Sequence, residues 1–211
     1  SNMVLTLSDN RYPRQLLEIA DPPLILYVKG RVELLTSPSI AIVGSRNATT
    51  PGRLDAEEFA HPLSDTGLTI VSGLALGIDT AAHEGGLKGR GSTVAVIGTG
   101  ADIVYPARNR ELAHRIANEG CIISECPLGS GPVASKFPRR NRVISGLSGG
   151  ILVVEAAARS GSLITAKAAI DQGRDVFAIP GSIHSPLSRG CHELIRQGAK
   201  LVESSQDILE E

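Results

Sequence analysis

Six short apolar runs recur along the chain, at 40–43, 68–71, 93–97, 121–123, 151–154 and 176–179. Successive starts lie 25 to 30 residues apart, close to the roughly 30 residues that a strand, crossover helix and second strand require. The runs are continuous rather than alternating and are rich in Val and Ile, as expected of parallel strands covered on both faces. Between them lie stretches with helical patterning, at 53–64, 78–87, 108–118, 140–147, 162–172 and 193–197. The alternation predicts an α/β fold, an open and mostly parallel sheet with helices on both faces. Residues 3–38 depart from the beat. Asp21-Pro22-Pro23 is a stiff break. The runs 24–28 and 32–35, on either side of Lys29-Gly30-Arg31, read as a strand pair or an edge extension of the sheet. The chain thus divides into an N-terminal extension, 3–38, and a main domain, 39–211. Ser1-Asn2 ahead of Met3 reads as a remnant of tag removal and is set aside.

In such sheets ligands bind beyond the carboxyl ends of the strands. The segments there are Gly44-Ser45-Arg46, Ser72-Gly73, Gly98-Thr99-Gly100, Glu125-Cys126-Pro127, Glu155 followed by Ser160-Gly161-Ser162, and Pro180-Gly181-Ser182. A small residue beside glycine near a helix start lets backbone N–H groups approach an anion. This makes Gly44, Ser45, Ser72, Gly73, Gly98 and Gly100 candidate anion-binding positions. The alternative is that these glycines serve only the tight turns. A dinucleotide fingerprint is missing: the glycine needed three residues after Gly100 is replaced by Ile103. There is no phosphate-binding G-x-x-x-x-G-K-S/T run and no credible nucleophile elbow.

Charge sharpens the picture. The 211 residues carry a formal net charge of −1, so the whole molecule is no cationic sponge for polyanions. From Cys126 to Val154, however, there is no Asp or Glu, and Lys136, Arg139, Arg140 and Arg142 give +4; the remainder carries −5. A solvated helix face is the bland reading of a charge run. Against it stand the missing acids and Phe137, an aromatic ring among cations in a chain with only three Phe, three Tyr and no Trp. Cations around a ring suit a single nucleic-acid strand, whose bases stack while its phosphates are neutralised. Arg140 or Arg142 could instead brace neighbouring loops. Cys121, Cys126 and Cys191 form no CxxC pair and no disulfide framework, and a reducing cytoplasm suits them. Cys191-His192 is too sparse for a metal site. No apolar run reaches membrane-spanning length.

Taken in order, these motifs resemble the DNA-processing protein A family, also called Smf. The matching pieces are Gly44-Ser45-Arg46, Ser72-Gly73-Leu74-Ala75 with Gly77-Ile78-Asp79, Gly98-Thr99-Gly100 with Asp102 and Tyr105-Pro106, and Ser124-Glu125-Cys126-Pro127. They continue with Phe137-Pro138-Arg139-Arg140-Asn141-Arg142, Val154-Glu155-Ala156, Ser160 to Ala166, Pro180-Gly181, and Gly190-Cys191 with Leu194-Ile195. The resemblance spans about residues 10 to 209. It implies an extended Rossmann-like domain that binds single-stranded DNA, protects incoming DNA in natural transformation and helps load the RecA recombinase. It further implies a homodimer, no enzymatic activity, and no cofactor or metal. On the matching positions, Arg46, Lys136, Phe137, Arg139 and Arg142 would bind DNA, with the Ser160-Gly161-Ser162 turn nearby. The helical and winged-helix-like domains that often flank this core in the family are not among these residues. Many members have Asn where His192 stands.

Two readings from different classes therefore meet here. One is a non-catalytic single-strand-binding module. The other is a Rossmann-like phosphoribohydrolase in which Glu155 works as acid or base. Its expected Pro-Gly-Gly-x-Gly-Thr run is replaced by 148–154. A structural alternative for Glu155 is to cap a helix or pair with Arg139 or Arg142. For self-association the stretch 194–202 is the candidate patch, unless its apolar residues merely cover the sheet.

Overall fold

The structure, a computed structural model, describes residues 2–211. It holds nine strands in one sheet: β1 (Asn2–Thr6), β2 (Ile25–Gly30), β3 (Ser39–Val43), β4 (Thr69–Ser72), β5 (Thr93–Val96), β6 (Cys121–Ser124), β7 (Gly150–Val153), β8 (Asp175–Ala178) and β9 (Lys200–Leu201). The order across the sheet is β1-β2-β6-β5-β4-β3-β7-β8-β9. All six apolar runs are strands, and β3 to β9 run parallel.

The helices are α1 (Arg14–Leu17), α2 (Thr50–Asp65), α3 (Ile78–Lys88), α4 (Arg110–Glu119), α5 (Lys136–Leu147), α6 (Gly161–Asp171), α7 (Arg189–Arg196) and α8 (Ser205–Leu209). Because side chains alternate along a strand, each buried strand feeds two cores. Ala41, Val43, Val71, Val94, Ile151 and Val153 face one side, with Leu16, Val143, Ile144, Leu147, Ala166 and Leu194 from α1, α5, α6 and α7. Ile40, Ile42, Ile70 and Leu152 face the other, against α2, α3 and α8. Ala95, Ile97 and Ile122 complete that side beneath Leu112 and Ile116 of α4.

The N-terminal segment is an edge extension of the sheet with a different partner from the one expected. β2 pairs antiparallel with β1 on one side and with β6 on the other. The second run, 32–35, is not a strand. Residues Val32–Thr36 form a 3₁₀ turn whose buried Leu34 and Leu35 join the core of the main domain. In the 194–202 stretch Leu194 and Val202 are buried in the core, Ile195 is half-buried and Leu201 is exposed.

The connectivity places the site. From β3 the chain steps outward through β4, β5 and β6, then returns to lay β7 against the opposite edge of β3, with Val43 beside Val153. The direction of winding thus reverses between β3 and β7, and the segments leaving their carboxyl ends diverge and open a crevice.

Candidate nucleic-acid interface

A cleft of about 770 Å³ occupies this switch point. Its walls come from the segment after β3 (Gly44 to Asn47), the start of α5 and the turn after β7 that opens α6. Helix α5 begins at Lys136, four residues before the patterned stretch. Of its first turn Phe137 and Pro138 line the cleft, and Lys136 and Arg139 flank them outside the lining.

Phe137 is the centre of the rim. Its ring lies against Gly98: a Cβ there would meet it at 3.0 Å. The Tyr105 ring stands 5.6 Å away, tilted by 36°. The guanidinium carbons of Arg46 and Arg140 each lie 5.9 Å from the Phe137 centroid, within range of a cation–π contact. Phe137 is half-buried, whereas Arg46 and Tyr105 are exposed. The close approach of Gly77 steadies the Arg46 loop. With φ of +79° its Cα lies so near Ser45 and Arg46 that a Cβ would meet the Ser45 carbonyl, and Ile78 N–H donates to that carbonyl at 3.1 Å.

The four cations divide by their surroundings. Arg139 is exposed (65%) and sits 3.6 Å from Glu125. Lys136, half-buried, reaches back to the Gly131 carbonyl at 3.4 Å. Arg142 is only 16% exposed. It grips both oxygens of Glu125, at 2.8 and 3.1 Å, and also reaches Asp21 at 3.1 Å. Like Lys136 and Arg139 it does not line the cleft itself; its ion pairs brace α5 against the segment after β6 and the N-terminal extension.

Arg140 is buried. Its Nη1 donates to the Gly73 carbonyl at 2.6 Å and to the Val96 carbonyl at 2.5 Å, tying the ends of β4 and β5 to α5. Its Nε donates to Asn141 Oδ1 at 3.1 Å. Burial lowers its pKa to about 10, the Asp79 carboxylate opposes that drop and nearby Arg46 adds to it, so Arg140 stays charged at neutral pH. Asp79 is equally buried. Burial raises its pKa, while Arg140 and the N–H groups of Ala75 and Gly73 favour its ionised form. Both Arg140 and Asp79 line the floor of the cleft. The sequence did contain a signal for this burial: residues 140, 143, 144 and 147 fall on one helical stripe, and its other three members are apolar.

Beneath this floor His83 is buried. Thr93 Oγ1 donates to the Ile70 carbonyl at 2.6 Å. The 2.7 Å contact between that hydroxyl and His83 Nδ1 therefore has the ring as donor. Nε2 is left to accept from Leu74 N–H at 3.2 Å. The imidazole is held neutral, its pKa lowered to about 3 by burial and then by Arg140.

The candidate anion loops differ among themselves. Ser160-Gly161-Ser162 lies on the cleft wall at the start of α6, with Gly161 exposed and open space around its Cα. Gly44 and Ser45 also line the cleft, although Ser45 N–H donates to the Glu155 carbonyl at 2.7 Å. The others are turned to holding the fold. Ser72 Oγ donates to the Ile42 carbonyl, Gly73 N–H to Asp79, and Gly100 N–H to the Ser130 carbonyl. Gly98 lies under Phe137. Asn47, Tyr105, Asn141 and Arg159 line the cleft as well. Of these, Arg159 was open to sequence reasoning, since it directly precedes the Ser160 turn.

Glu155 caps α2. Its Oε2 accepts from Thr49 N–H at 2.9 Å and its Oε1 from the Thr49 hydroxyl at 2.6 Å. Neither Arg139 nor Arg142 pairs with it; both turn to Glu125. Burial raises the Cys121 thiol to about 12 and the Cys191 thiol to about 11, which removes both as nucleophiles at neutral pH. Among the described residues no group of three or more His, Cys, Asp or Glu is arranged to hold a metal, and no helix is long and apolar enough to cross a membrane.

A doubly wound sheet with a crevice at its switch point, and arginines beside an aromatic ring at that crevice, define a Rossmann-like module. The chain belongs to the DNA recombination-mediator protein A family, whose sequence model matches residues 3–211. It is 50% identical over 206 residues to the DNA processing protein DprA of Streptococcus pneumoniae, covering 98% of this chain and 73% of that one. The crystal structure of the pneumococcal protein superposes with a TM-score of 0.96, covering 99% of this chain and 74% of that one. It is 49% identical over 200 residues to the Smf protein of Escherichia coli, covering 94% of this chain but 54% of that one. The DNA processing protein A of Helicobacter pylori, whose structure addresses its single-stranded DNA binding mode, matches with a TM-score of 0.89 and 30% identity over 99% of this chain and 94% of that one.

Proposed function

We propose that this chain is the single-stranded DNA-binding core of a DNA processing protein and that it binds the strand in the cleft at the β3/β7 switch point. The observation that carries the reading is the Phe137 rim. A half-buried ring backed by Gly98 and Tyr105 offers a stacking face, and Arg46 stands beside it for the phosphates. Lys136 and Arg139 on the same first turn of α5, and the open start of α6 at Ser160-Gly161-Ser162, supply further phosphate contacts. Arg142 contributes indirectly, by holding α5 through Glu125. No long helix is offered to a major groove, so the strand is bound with little sequence preference. The pneumococcal and Helicobacter pylori relatives support the reading by their names and, for the latter, by its single-strand binding. Protection of incoming DNA in transformation, RecA loading, a homodimer and a cytoplasmic setting follow from the family resemblance and belong to the same proposal.

A labelled oligonucleotide challenged with single-stranded or duplex competitor of equal length tests it. Single strand should displace the label at much lower concentration, and equal competition by duplex would sink the proposal. The phosphoribohydrolase reading has no observation in its favour, since both Glu155 oxygens serve Thr49. Incubation with a nucleoside monophosphate should release no base.

A further inference from the structure

A second, smaller cavity of about 280 Å³ lies on the far side of the loop that carries Tyr105. Tyr105 lines the main cleft, and its neighbour Val104 lines this cavity. Consecutive Cα atoms are only about 3.8 Å apart, so the same loop contributes to both spaces. The polar lining consists of Lys29 on β2, Arg110 and His114 on α4, and Asp102.

The cations there share one small cavity and, among the described residues, pair with no carboxylate, unlike Arg115 with Glu84, Arg142 with Glu125 or Arg174 with Glu18. Lys29, Arg110 and His114 are in no ion pair among the described residues. Arg110 and His114 are four apart on α4 and share a face. Arg110 is also the first residue of that helix, where the macrodipole disfavours a cation, so helix stability does not explain it. Asp102, the one acid in the lining, accepts from Gly129 N–H with both oxygens, at 2.9 and 3.0 Å. It is tied to the segment after β6 and pairs with none of the three.

We propose that this cavity is a second phosphate subsite, which takes the sugar–phosphate backbone of a single strand after it leaves the main cleft across Tyr105. Lys29 and Arg110 neutralise its phosphates, and the Val104 and Ile122 walls receive the apolar face of a sugar. The inference rests on the DNA-binding reading of the main cleft and extends its footprint past one loop.

Strand length provides the test. An oligothymidylate of about four nucleotides should fill the main cleft alone, and one of about sixteen should cover both spaces. The variant carrying Lys29→Gln and Arg110→Gln should bind the short strand within twofold of the parent. On the long strand it should lose roughly tenfold in affinity at about 0.1 M salt, with a log–log salt slope shallower by about 1.4. Restoring both charges with Lys29→Arg and Arg110→Lys should restore the long-strand affinity. Unchanged long-strand affinity and slope would overturn the proposal, as would equal losses on both lengths. Inorganic phosphate that perturbs the His114 ring resonances without weakening the long strand would assign the cavity to a free anion and overturn it too. If the parent binds neither strand, the reading of the main cleft fails instead.

Discussion

At the scale of single residues, Phe137 and Lys136 are neighbours whose proposed contacts with a strand would rest on different physics. Lys136→Ala should make the salt dependence of single-strand binding shallower by about 0.7. Phe137→Ala should cost roughly 1–3 kcal/mol of binding and leave that slope unchanged; a fluorescence titration at several salt concentrations separates the two. The placement of Phe137 at the cleft was legible, because a ring among cations in a chain so poor in aromatics stands out. The fate of Arg140 was harder to see: charge density drew all four cations into one group, while the helical stripe through Val143, Ile144 and Leu147 sends this one inward. Below it, His83 gives a prediction in pH. Its pKa is about 3 in the folded chain and near 6.5 when exposed, so between those values the unfolded state binds the extra proton. Its contribution to stability is therefore complete above about pH 6.5 and falls as the pH drops towards 3. The raised pKa of Asp79 works in the opposite direction. Denaturant unfolding at pH 4.5 and 7 should show a clear loss in the parent and a flatter profile in His83→Gln.

At the scale of elements, the beat of apolar runs predicted all six central strands, because strands buried on both faces leave an uninterrupted apolar signature. The edges were less legible. The run 32–35 looks like a strand by composition, yet β1 already occupies the open side of β2, and Leu34 and Leu35 reach the core from a 3₁₀ turn instead. The start of α5 was hidden by Pro138, which suits the first turn of a helix as well as it suits a loop. Side chains that join elements carry further predictions. Glu155 holds the start of α2 from the far side of the switch point. Glu155→Gln removes a charge but keeps one acceptor, and should cost about 0.5–1 kcal/mol of stability with DNA affinity unchanged; a large loss of binding would contradict the capping role. Arg142→Gln strands the mostly buried Glu125 carboxylate. It should destabilise the fold by about 1–3 kcal/mol while leaving the salt slope alone, whereas Arg139→Gln should reduce the slope by about 0.7 and barely alter the melting temperature.

At the scale of the whole molecule, a nearly neutral chain brings Arg46, Arg140 and Arg159 together where the winding of the sheet reverses. The acid-free stretch, 126–154, was visible in the sequence. Its meeting with Arg46 and the Ser160 turn was implied only by the family resemblance, because that meeting depends on β7 crossing back to β3, a pairing that local patterning does not encode. In the proposed interface this crevice holds a single strand through a small set of phosphate contacts from Arg46, Lys136, Arg139 and Arg159 around one stacking ring. The dependence of single-strand affinity on salt tests that most directly. Four phosphate contacts on a short oligonucleotide predict a log–log slope near −3. A slope near zero would contradict the claim, because a strand held without charge neutralisation cannot be lying along this rim.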